Sequence, residues 1–247
     1  MGIFVGLSGV GGGSLMTPLL ILVLRVHPAI AVGTDLLYSV PTKVVGAFAH
    51  AKAKTVDRKL TTMLACGGLP GAIAGVFAVA ELRTYVRLAT FDGIVRHAVA
   101  IALFVAAFAV LAGMRRRSGA HVQPDDVVWD DRRRGAVVLT GALVGFCVSV
   151  TSIGSGSVTL PTLMALLPTL GLRRLIGSDV AFAAVLLPVA ALGALAAGNV
   201  DVPLAANLVL GSVPGVLIGS RLCSVLPERL LRPAVATVLV FASSRLF

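Results

Sequence analysis

The sequence has few charged and few aromatic residues. Of its 247 residues, 13% are Asp, Glu, Lys or Arg and 5% are aromatic, whereas 57% are hydrophobic and the mean hydropathy is +0.98. Soluble domains are about 25% charged, and several apolar runs here reach the roughly 18–20 residues that a spanning helix needs. The composition therefore excludes a soluble globular domain and predicts an all-α polytopic membrane protein.

Acidic residues are especially scarce, which leaves a formal net charge of +10. A basic balance can indicate nucleic-acid binding, but that reading needs a basic patch together with a groove-reading or base-stacking motif. Here the Lys and Arg residues are scattered between apolar runs, where they orient a membrane protein in the bilayer. The sequence therefore predicts membrane lipid, and no nucleic acid, as a partner.

Cysteine is also rare, and the motifs of several enzyme classes are missing. Cys66, Cys147 and Cys223 lie in apolar runs without CxxC spacing, so they are interpreted as small hydrophobic residues. HExxH is absent, and the GxSxG-like spacing around Ser155 has no histidine in its half of the chain to act as base. The sequence predicts neither a bound metal nor a cofactor, and it predicts that the protein is not an enzyme. A membrane-embedded hydrolase is disfavoured.

A glycine-rich break in apolar sequence occurs twice. Residues 8–18 read SGVGGGSLMTP and residues 151–161 read TSIGSGSVTLP. Irregular backbone at membrane depth is tolerated only where it is buried in protein or lines a wet cavity. A pair of glycine-interrupted segments in matching halves indicates the binding site of a transporter. No Walker lysine follows the first break, so a nucleotide-binding loop is not predicted.

The duplication extends beyond the breaks, at an offset of 144 residues. The triplet at 33–35, Gly-Thr-Asp, matches Gly-Ser-Asp at 177–179, and Asp57 matches Asp201. The helical spacing of Gly67, Gly71 and Gly75 repeats at 211, 215 and 219, and it predicts close helix packing. Agreement at this many glycines and aspartates indicates two homologous halves.

Each half contains the same four segments, giving about eight in total. These are a broken segment (1–24 and 135–167), a helix after the triplet (34–51 and 178–197), a helix with the glycine series (61–80 and 202–225) and a closing apolar helix (95–114 and 230–247). We therefore predict transmembrane repeats at 1–114 and 135–247, joined by a polar linker at 115–134. The second break has an apolar lead-in that the first lacks, and we hypothesise a truncated or misassigned N-terminus.

Topology follows from the positions of the basic residues. If every segment crosses the membrane, the halves are parallel and the basic residues are balanced between the two faces. If each broken segment is re-entrant, the halves are inverted and most basic residues share the face of the linker. The positive-inside rule then favours inverted repeats with linker 115–134 cytoplasmic.

The helix after the first triplet carries an unusual polar stripe. Asp35, Ser39, Lys43 and His50 fall on one helical face, and Thr34, Tyr38 and Thr42 lie beside it. Lys43 is about 13 Å along the predicted helix, near the middle of the hydrocarbon, where a lysine costs about 2.5–3.5 kcal/mol on insertion scales. It therefore needs a carboxylate, a carbonyl or an anionic ligand. An ion pair or a snorkelling side chain is the alternative, and an interfacial position is the alternative for His50.

The duplicate helix has lost this stripe, since Ala183, Leu187 and Ala194 replace Ser39, Lys43 and His50. We therefore place the substrate chemistry on the first half, against both breaks. Asp35 and Asp179 are either helix caps or members of the transport site, whereas Asp57 and Asp201 are predicted caps.

Half-helix ends offer free N–H groups that stabilise anions, and the breaks add hydroxyl donors. The predicted substrate-binding residues are Ser8, Gly11, Gly12, Gly13, Ser14, Thr34, Asp35, Tyr38, Thr42, Lys43, Thr151, Ser152, Gly154, Ser155, Gly156, Ser157, Ser178 and Asp179.

The stretches GLSGVGGGSLMTPLLIL, AVGTDLLYS, TSIGSGSVTLP and RLIGSDVAFA together resemble the TauE/SafE family of sulfite-exporter-type membrane proteins. The resemblance implies a permease of the inner (plasma) membrane that moves small sulfur-containing anions such as sulfite, sulfoacetate or other organosulfonates. The expected function is secondary transport of such an anion, and a passive anion channel through the same breaks is the alternative. The direction, the coupling ion and a homo-oligomeric state stay open.

Overall fold

The structure is a computed structural model that describes residues 13–116, 129–211, 237 and 240–246. Its principal helices are α1 (Gly13–Leu22), α2 (Pro28–Lys52), α3 (Arg58–Tyr85), α4 (Leu88–Arg116), α5 (Asp131–Thr151), α6 (Thr159–Leu166), α7 (Leu172–Ala196) and α8 (Val202–Gly211). Among the described residues, α3, the 90–109 part of α4, α5 and α7 are long and apolar enough to cross a membrane. The predicted all-α polytopic class is confirmed.

The helices that contain the two triplets begin earlier than predicted. α2 starts at Pro28, and proline is favoured at the first helical position, while α7 starts after Gly171. Asp35 and Asp179 therefore lie about two turns inside their helices, and their interpretation as helix caps is wrong. The physical reason is that neither triplet interrupts the backbone hydrogen bonding of a buried helix.

The predicted caps at the next pair of aspartates are confirmed. Asp57 Oδ1 accepts a hydrogen bond from the Leu60 N–H at 3.0 Å, and Asp201 Oδ1 accepts one from the Leu204 N–H at 2.9 Å. Each carboxylate satisfies an otherwise free amide in the first turn of the following helix.

The glycines of α3 allow this helix to pack against α5 backbone to backbone. A Cβ at Gly67 or Gly71 would overlap the backbone of Val138 or Ala142. Gly75 lies close to Phe146 in the same way. The packing role predicted for these glycines is confirmed. In the second half Gly211 has no close neighbour among the described residues, and 215 and 219 lie outside them.

The duplicated helices α2 and α7 pack against each other in opposite directions. Gly33, near the start of α2, meets the Asn199 carbonyl after the end of α7, and Gly177, near the start of α7, meets the Thr55 carbonyl after the end of α2. These two contacts are equivalent under the 144-residue offset. Because each helix makes with the other the contact that it receives, α2 and α7 are related by a local two-fold axis perpendicular to both helices.

Two hydrogen bonds repeat the same exchange. The Asp201 N–H donates to Thr34 Oγ1 at 3.0 Å, and the Asp57 N–H donates to Ser178 Oγ at 2.9 Å. The hydroxyl of each triplet thus fixes the start of a helix in the other half. Asp35 follows Thr34 and Asp179 follows Ser178 in the sequence, so the two buried aspartates occupy equivalent backbone positions in the two halves.

The second broken segment enters and leaves at one end of the helix bundle. α5 and α7 both run parallel to α3, as the ascending contacts along each pair show. The starts of α3 and α5 lie together, with Lys59 Nζ 5.1 Å from the centre of the Trp129 ring. α6 connects the end of α5 to the start of α7. Residues 152–171 must therefore run back towards the end of the bundle where α3 and α5 begin.

We call the end that holds the starts of α3, α5 and α7 the linker end, and the opposite end the far end. α4 continues to Arg116 and α5 begins at Asp131, so arginines assigned to the polar linker are helical where they are described. Basic residues at the linker end are Lys52, Lys54, Arg58, Lys59, Arg115, Arg116, Arg132, Arg133, Arg134, Arg173 and Arg174, and those at the far end include Arg25, Arg83 and Arg87.

Candidate functional site

The second break is a turn that glycine makes possible. α5 ends at Thr151, Ser152 adopts a left-handed φ of 60°, and Gly154 and Gly156 have φ values of 150° and 85°. L-residues with a Cβ rarely adopt such angles. The Thr151 hydroxyl accepts from the Ile153 N–H at 3.2 Å and donates to the Cys147 carbonyl at 2.7 Å. The turn projects the side chain of Ser152 and the backbone of Gly156 into the interior of the bundle.

Asp35 lies where the two halves meet, and its partners are hydroxyl groups. The residue is fully buried. Its Oδ2 accepts hydrogen bonds from Thr17 Oγ1 at 2.6 Å and from Ser152 Oγ at 2.8 Å, and its Oδ1 is 3.5 Å from Ser39 Oγ. Thr17 belongs to α1, the half-helix after the first break, and Ser152 to the second break. A single carboxyl group therefore connects both broken segments.

Thr17 was not among the predicted site residues. The available signal was its position directly before Pro18, at the close of the first break. The structure makes this hydroxyl, on the helix that begins within the break, a donor to Asp35.

Asp179, the duplicate of Asp35, has different surroundings. Its side chain is 1% exposed. The Gly156 N–H and the Thr159 hydroxyl lie near the carboxylate, and Lys43 of α2 is the nearby positive charge, without an ion pair to it. The Thr159 hydroxyl donates to the Gly154 carbonyl at 3.1 Å. Lys43 of the polar stripe thus faces α7 at Asp179, beside the second break.

Several buried polar atoms around the second break accept or donate no hydrogen bond within the described residues. They are Asp179 Oδ1 and the hydroxyls of Ser149, Ser155 and Ser157. Native proteins pair almost all buried polar atoms with protein, water or ligand. Their concentration at one break indicates a position where water or a polar ligand completes the hydrogen bonding.

Other predicted site residues have partners that hold the scaffold. Thr34 and Ser178 accept from backbone amides, as described above, and the Thr42 hydroxyl donates to the Ser39 carbonyl at 2.8 Å, next to Pro41. Tyr38 packs into a separate apolar cluster with residues of α1 and α8. His50 Nδ1 lies 2.9 Å from Thr55 Oγ1 in the α2–α3 connection.

The first break is only partly described. Ser8, Gly11 and Gly12 lie outside the described residues, and Gly13 and Ser14 begin α1 without a description of their side chains. The site as described therefore consists of the second break, α1, α2 and α7.

Comparison with known proteins agrees with this architecture. The family description "Sulfite exporter TauE/SafE" matches residues 1–246. No solved structure matches the chain.

Relatives with curated names carry transporter names. The chain is 36% identical over 247 residues to "Probable membrane transporter protein YjnA" of Bacillus subtilis (strain 168), covering 100% of this chain and 95% of the relative. It is 25% identical over 239 residues to "Probable membrane transporter protein YdhB" of the same organism, covering 95% and 91%. "Probable membrane transporter protein YunE", also of that organism, is 27% identical over 170 residues, covering 65% and 62%. The chain therefore belongs to the sulfite exporter TauE/SafE family and is a multi-pass membrane transporter.

Proposed function

We propose that this protein is a secondary transporter of small sulfur-containing oxyanions such as sulfite or organosulfonates, and not an enzyme. One observation carries the proposal. The Asp179 carboxylate, itself an oxyanion, lies near a backbone N–H of the second break and near Lys43. A set of donors that accommodates a carboxylate has the chemistry to accommodate a sulfite or sulfonate group.

The unpaired hydroxyls extend this donor set. Ser155 and Ser157 flank Gly156, and their Oγ atoms are buried without a partner among the described residues. A hydroxyl can rotate to donate to an incoming oxyanion. A cation such as Lys43 attracts an anion several-fold more strongly in a protein interior than in water. The substrate would bind between Lys43 and the second break, next to Asp179.

The antiparallel pairing of α2 with α7 supports inverted repeats. Transporters of this kind place the substrate near the midplane, between repeats, at half-helix ends. The concentration of Lys and Arg at the linker end supports a cytoplasmic position for the linker under the positive-inside rule. We propose that the far end faces the outside of the inner (plasma) membrane and that the two repeats rock about the site.

Flux of sulfite into proteoliposomes tests this proposal. Wild-type protein should give saturable flux, and Lys43→Leu should abolish it because the anion loses its counter-charge. Lys52→Leu is the matched control, since it removes an exposed lysine at the end of the same helix and should leave flux unchanged. Equal flux in wild type and Lys43→Leu would contradict the assignment.

A passive anion channel through the same breaks is the alternative. Complete burial of Asp35 and near-complete burial of Asp179 favour a carrier, because a channel needs a continuous wet path past its polar groups. Counterflow of labelled sulfite is expected for a carrier. Ohmic single-channel current without counterflow would identify a channel.

A further inference from the structure

We propose that Asp35 is the coupling-proton site of this transporter, loaded from the far end through the cavity beside Ser149, and that the proton moves together with the anion. The inference rests on the proposed function for its coupling to anion transport. The site itself is defined by Asp35, Thr17 and Ser152, which are separate from the donors around Asp179.

The partners of Asp35 fit a carboxyl group that alternates between the acid and the carboxylate. Its close contacts, at 2.6 and 2.8 Å, are with the hydroxyls of Thr17 and Ser152. A hydroxyl can donate to a carboxylate or accept from a carboxylic acid without moving. A fixed N–H donor or a lysine would favour the carboxylate only.

No charged group on the surrounding described elements pairs with Asp35. α1 carries no titratable side chain. On α2, Lys43 is eight residues away, about 12 Å along the axis. On α4, Asp92 pairs with His27 at 3.0 Å, and Asp201, ahead of α8, caps that helix. The remaining charged or titratable residues of these elements are His50 and Lys52 of α2, Arg96, His97, Arg115 and Arg116 of α4, Asp131, Arg132, Arg133 and Arg134 of α5, and Arg173, Arg174 and Asp179 of α7.

Among the described residues, Asp35 therefore has no charged partner, and its surroundings are the hydroxyls together with apolar side chains. An unpaired buried carboxylate is so costly that such groups take up a proton instead. Buried carboxyl groups inside membranes commonly serve as proton relays. Asp35 meets both conditions.

A small cavity lies beside the helix of Asp35, on its far-end side. The cavity has a volume of about 20 Å³, is lined by Gly33 and Leu36 of the same helix, and reaches Ala197 and Asn199 beyond the end of α7, whereas Asp35 itself does not line it. That volume holds a single water molecule. The Ser149 hydroxyl lines the cavity and has no partner among the described residues. A water here, bonded to Ser149, would pass a proton from the far-end solution towards Asp35.

Electrostatics links the proton to the anion. An anion beside Lys43 already lies next to the Asp179 carboxylate, and a second carboxylate at Asp35 would add a further repulsion across the apolar interior. Protonation of Asp35 removes that repulsion, so the anion and the proton favour each other's binding. The two would be carried in the same direction and released together.

Transport driven by a pH gradient tests the coupling. In proteoliposomes without sodium, an external solution about one pH unit more acidic should drive roughly tenfold accumulation of sulfite for one coupled proton. Asp35→Asn should lose this accumulation completely and keep counterflow, because exchange requires no net proton movement. Asp57→Asn is the control and should accumulate like wild type, since asparagine is an equally good helix cap.

Four outcomes would overturn the proposal. These are unchanged accumulation in Asp35→Asn, accumulation driven by sodium and not by pH, accumulation with the opposite pH polarity, and counterflow without accumulation under any gradient. All four leave the proposed sulfite carrier intact. Absence of both flux and counterflow in wild type would instead refute the proposed substrate, and the proton site is then decided spectroscopically.

Infrared difference spectroscopy of reconstituted protein tests the proton site without any substrate. A carboxylic C=O band that titrates with pH should be present in wild type and Asp57→Asn and absent in Asp35→Asn. Its shift after transfer to D2O should be slower in Ser149→Val, which removes the hydroxyl of the cavity. An ionised Asp35 at every pH, shown by the absence of the band, would overturn the proposal, and equally fast exchange in Ser149→Val would overturn the route.

Discussion

Asp35 and Asp179 occupy equivalent positions in the two halves, yet their partners differ in kind. Thr17 and Ser152 bind Asp35 through neutral hydroxyls, whereas Asp179 faces Lys43 and a backbone amide. Enzymes assign different roles to paired carboxylates by the same means, through the surroundings of each group. The comparison teaches that duplication determined where the carboxylates lie, and that later divergence of their neighbours determined what each can do.

The divergence is visible at individual positions of the repeat. Ser152 corresponds to Gly9 in the first break, and Lys43 corresponds to Leu187 in α7. Each aspartate therefore has a neighbour that its duplicate cannot have. The backbone exchange between the two halves is retained, because it depends on Thr34, Ser178 and the amides that they bind.

Moving the lysine to the other half should have the largest effect on the difference between Asp35 and Asp179. The double variant Lys43→Leu/Leu187→Lys transfers the cation from α2 to α7. The local two-fold axis relates position 187 to Asp35 as it relates Lys43 to Asp179. We expect roughly 100-fold weaker sulfite binding at the second break, because truncation of a buried charge partner costs about 2–5 kcal/mol. The infrared band of Asp35 should also disappear, since a facing cation stabilises the carboxylate. Sulfite binding by calorimetry and the infrared spectrum are the two measurements.

The single variant Leu187→Lys separates the two effects. It should remove the Asp35 band and the pH-driven accumulation while Lys43 still supports counterflow. Retention of the Asp35 band in a folded Leu187→Lys protein would mean that the two aspartates are not related as the local two-fold axis requires.

Substitutions at the close backbone contacts between α2 and α7 should have the next largest effect, and this effect should be equal in the two halves. Gly33→Ala and Gly177→Ala place a Cβ against the carbonyls of Asn199 and Thr55, and we expect each to destabilise the protein by about 1–3 kcal/mol through overpacking. Gly93→Ala is the control, because no atom lies near its Cβ position in α4, and it should stabilise the helix slightly. Unfolding in mixed micelles of increasing denaturing detergent measures all three.

If Gly33→Ala and Gly177→Ala differ by more than the experimental error, the exchanged contacts are not energetically equivalent. If both are as stable as Gly93→Ala, the α2–α7 interface relaxes at no cost and does not hold the two halves in register.

Much of the fold could be predicted from the sequence because its signals are local or repeated. Apolar runs determine the helices, the glycine spacing of α3 predicts its packing, and Asp57 and Asp201 follow the ordinary rules for helix caps. The starts of α2 and α7 could not be found in the same way. A buried glycine followed by a hydroxyl looks like a helix start, but tertiary contact with Asn199 or Thr55 keeps the helix continuous.

The candidate site was harder to predict because its contacts are distant in sequence. The stripe that contains Lys43 and Asp35 was apparent from helical periodicity. Its division into two environments was not, since it depends on Ser152 reaching Asp35 across 117 residues and on Thr17 reaching it across 18. Hydroxyls such as Thr34 were assigned to substrate because nothing in the sequence identifies the backbone amide in the other half that they bind.

The two hydrogen bonds from backbone amides to the Thr34 and Ser178 hydroxyls provide a further test of whether the two halves are equivalent. Thr34→Val and Ser178→Ala each remove the acceptor for a backbone N–H, of Asp201 or Asp57. Leaving such a donor unpaired costs about 1–3 kcal/mol when it is fully buried, and these part-buried amides should lie at the lower end. Equal losses of unfolding free energy are expected, with counterflow retained in both variants. Loss of counterflow in Thr34→Val at unchanged stability would instead assign this hydroxyl to the substrate.

The smallest expected effect concerns the caps. Asp57→Ala and Asp201→Ala should each cost about 1 kcal/mol of unfolding free energy, because one first-turn amide loses its acceptor. Asp57→Asn and Asp201→Asn should recover most of this loss, since the amide oxygen accepts the same bond. If asparagine fails to recover it, the negative charge at the helix start contributes more than the hydrogen bond. If only one of the two alanine variants is destabilised, the helix starts are unequal, and differences between Asp35 and Asp179 could then arise from the backbone as well as from Lys43 and the hydroxyls.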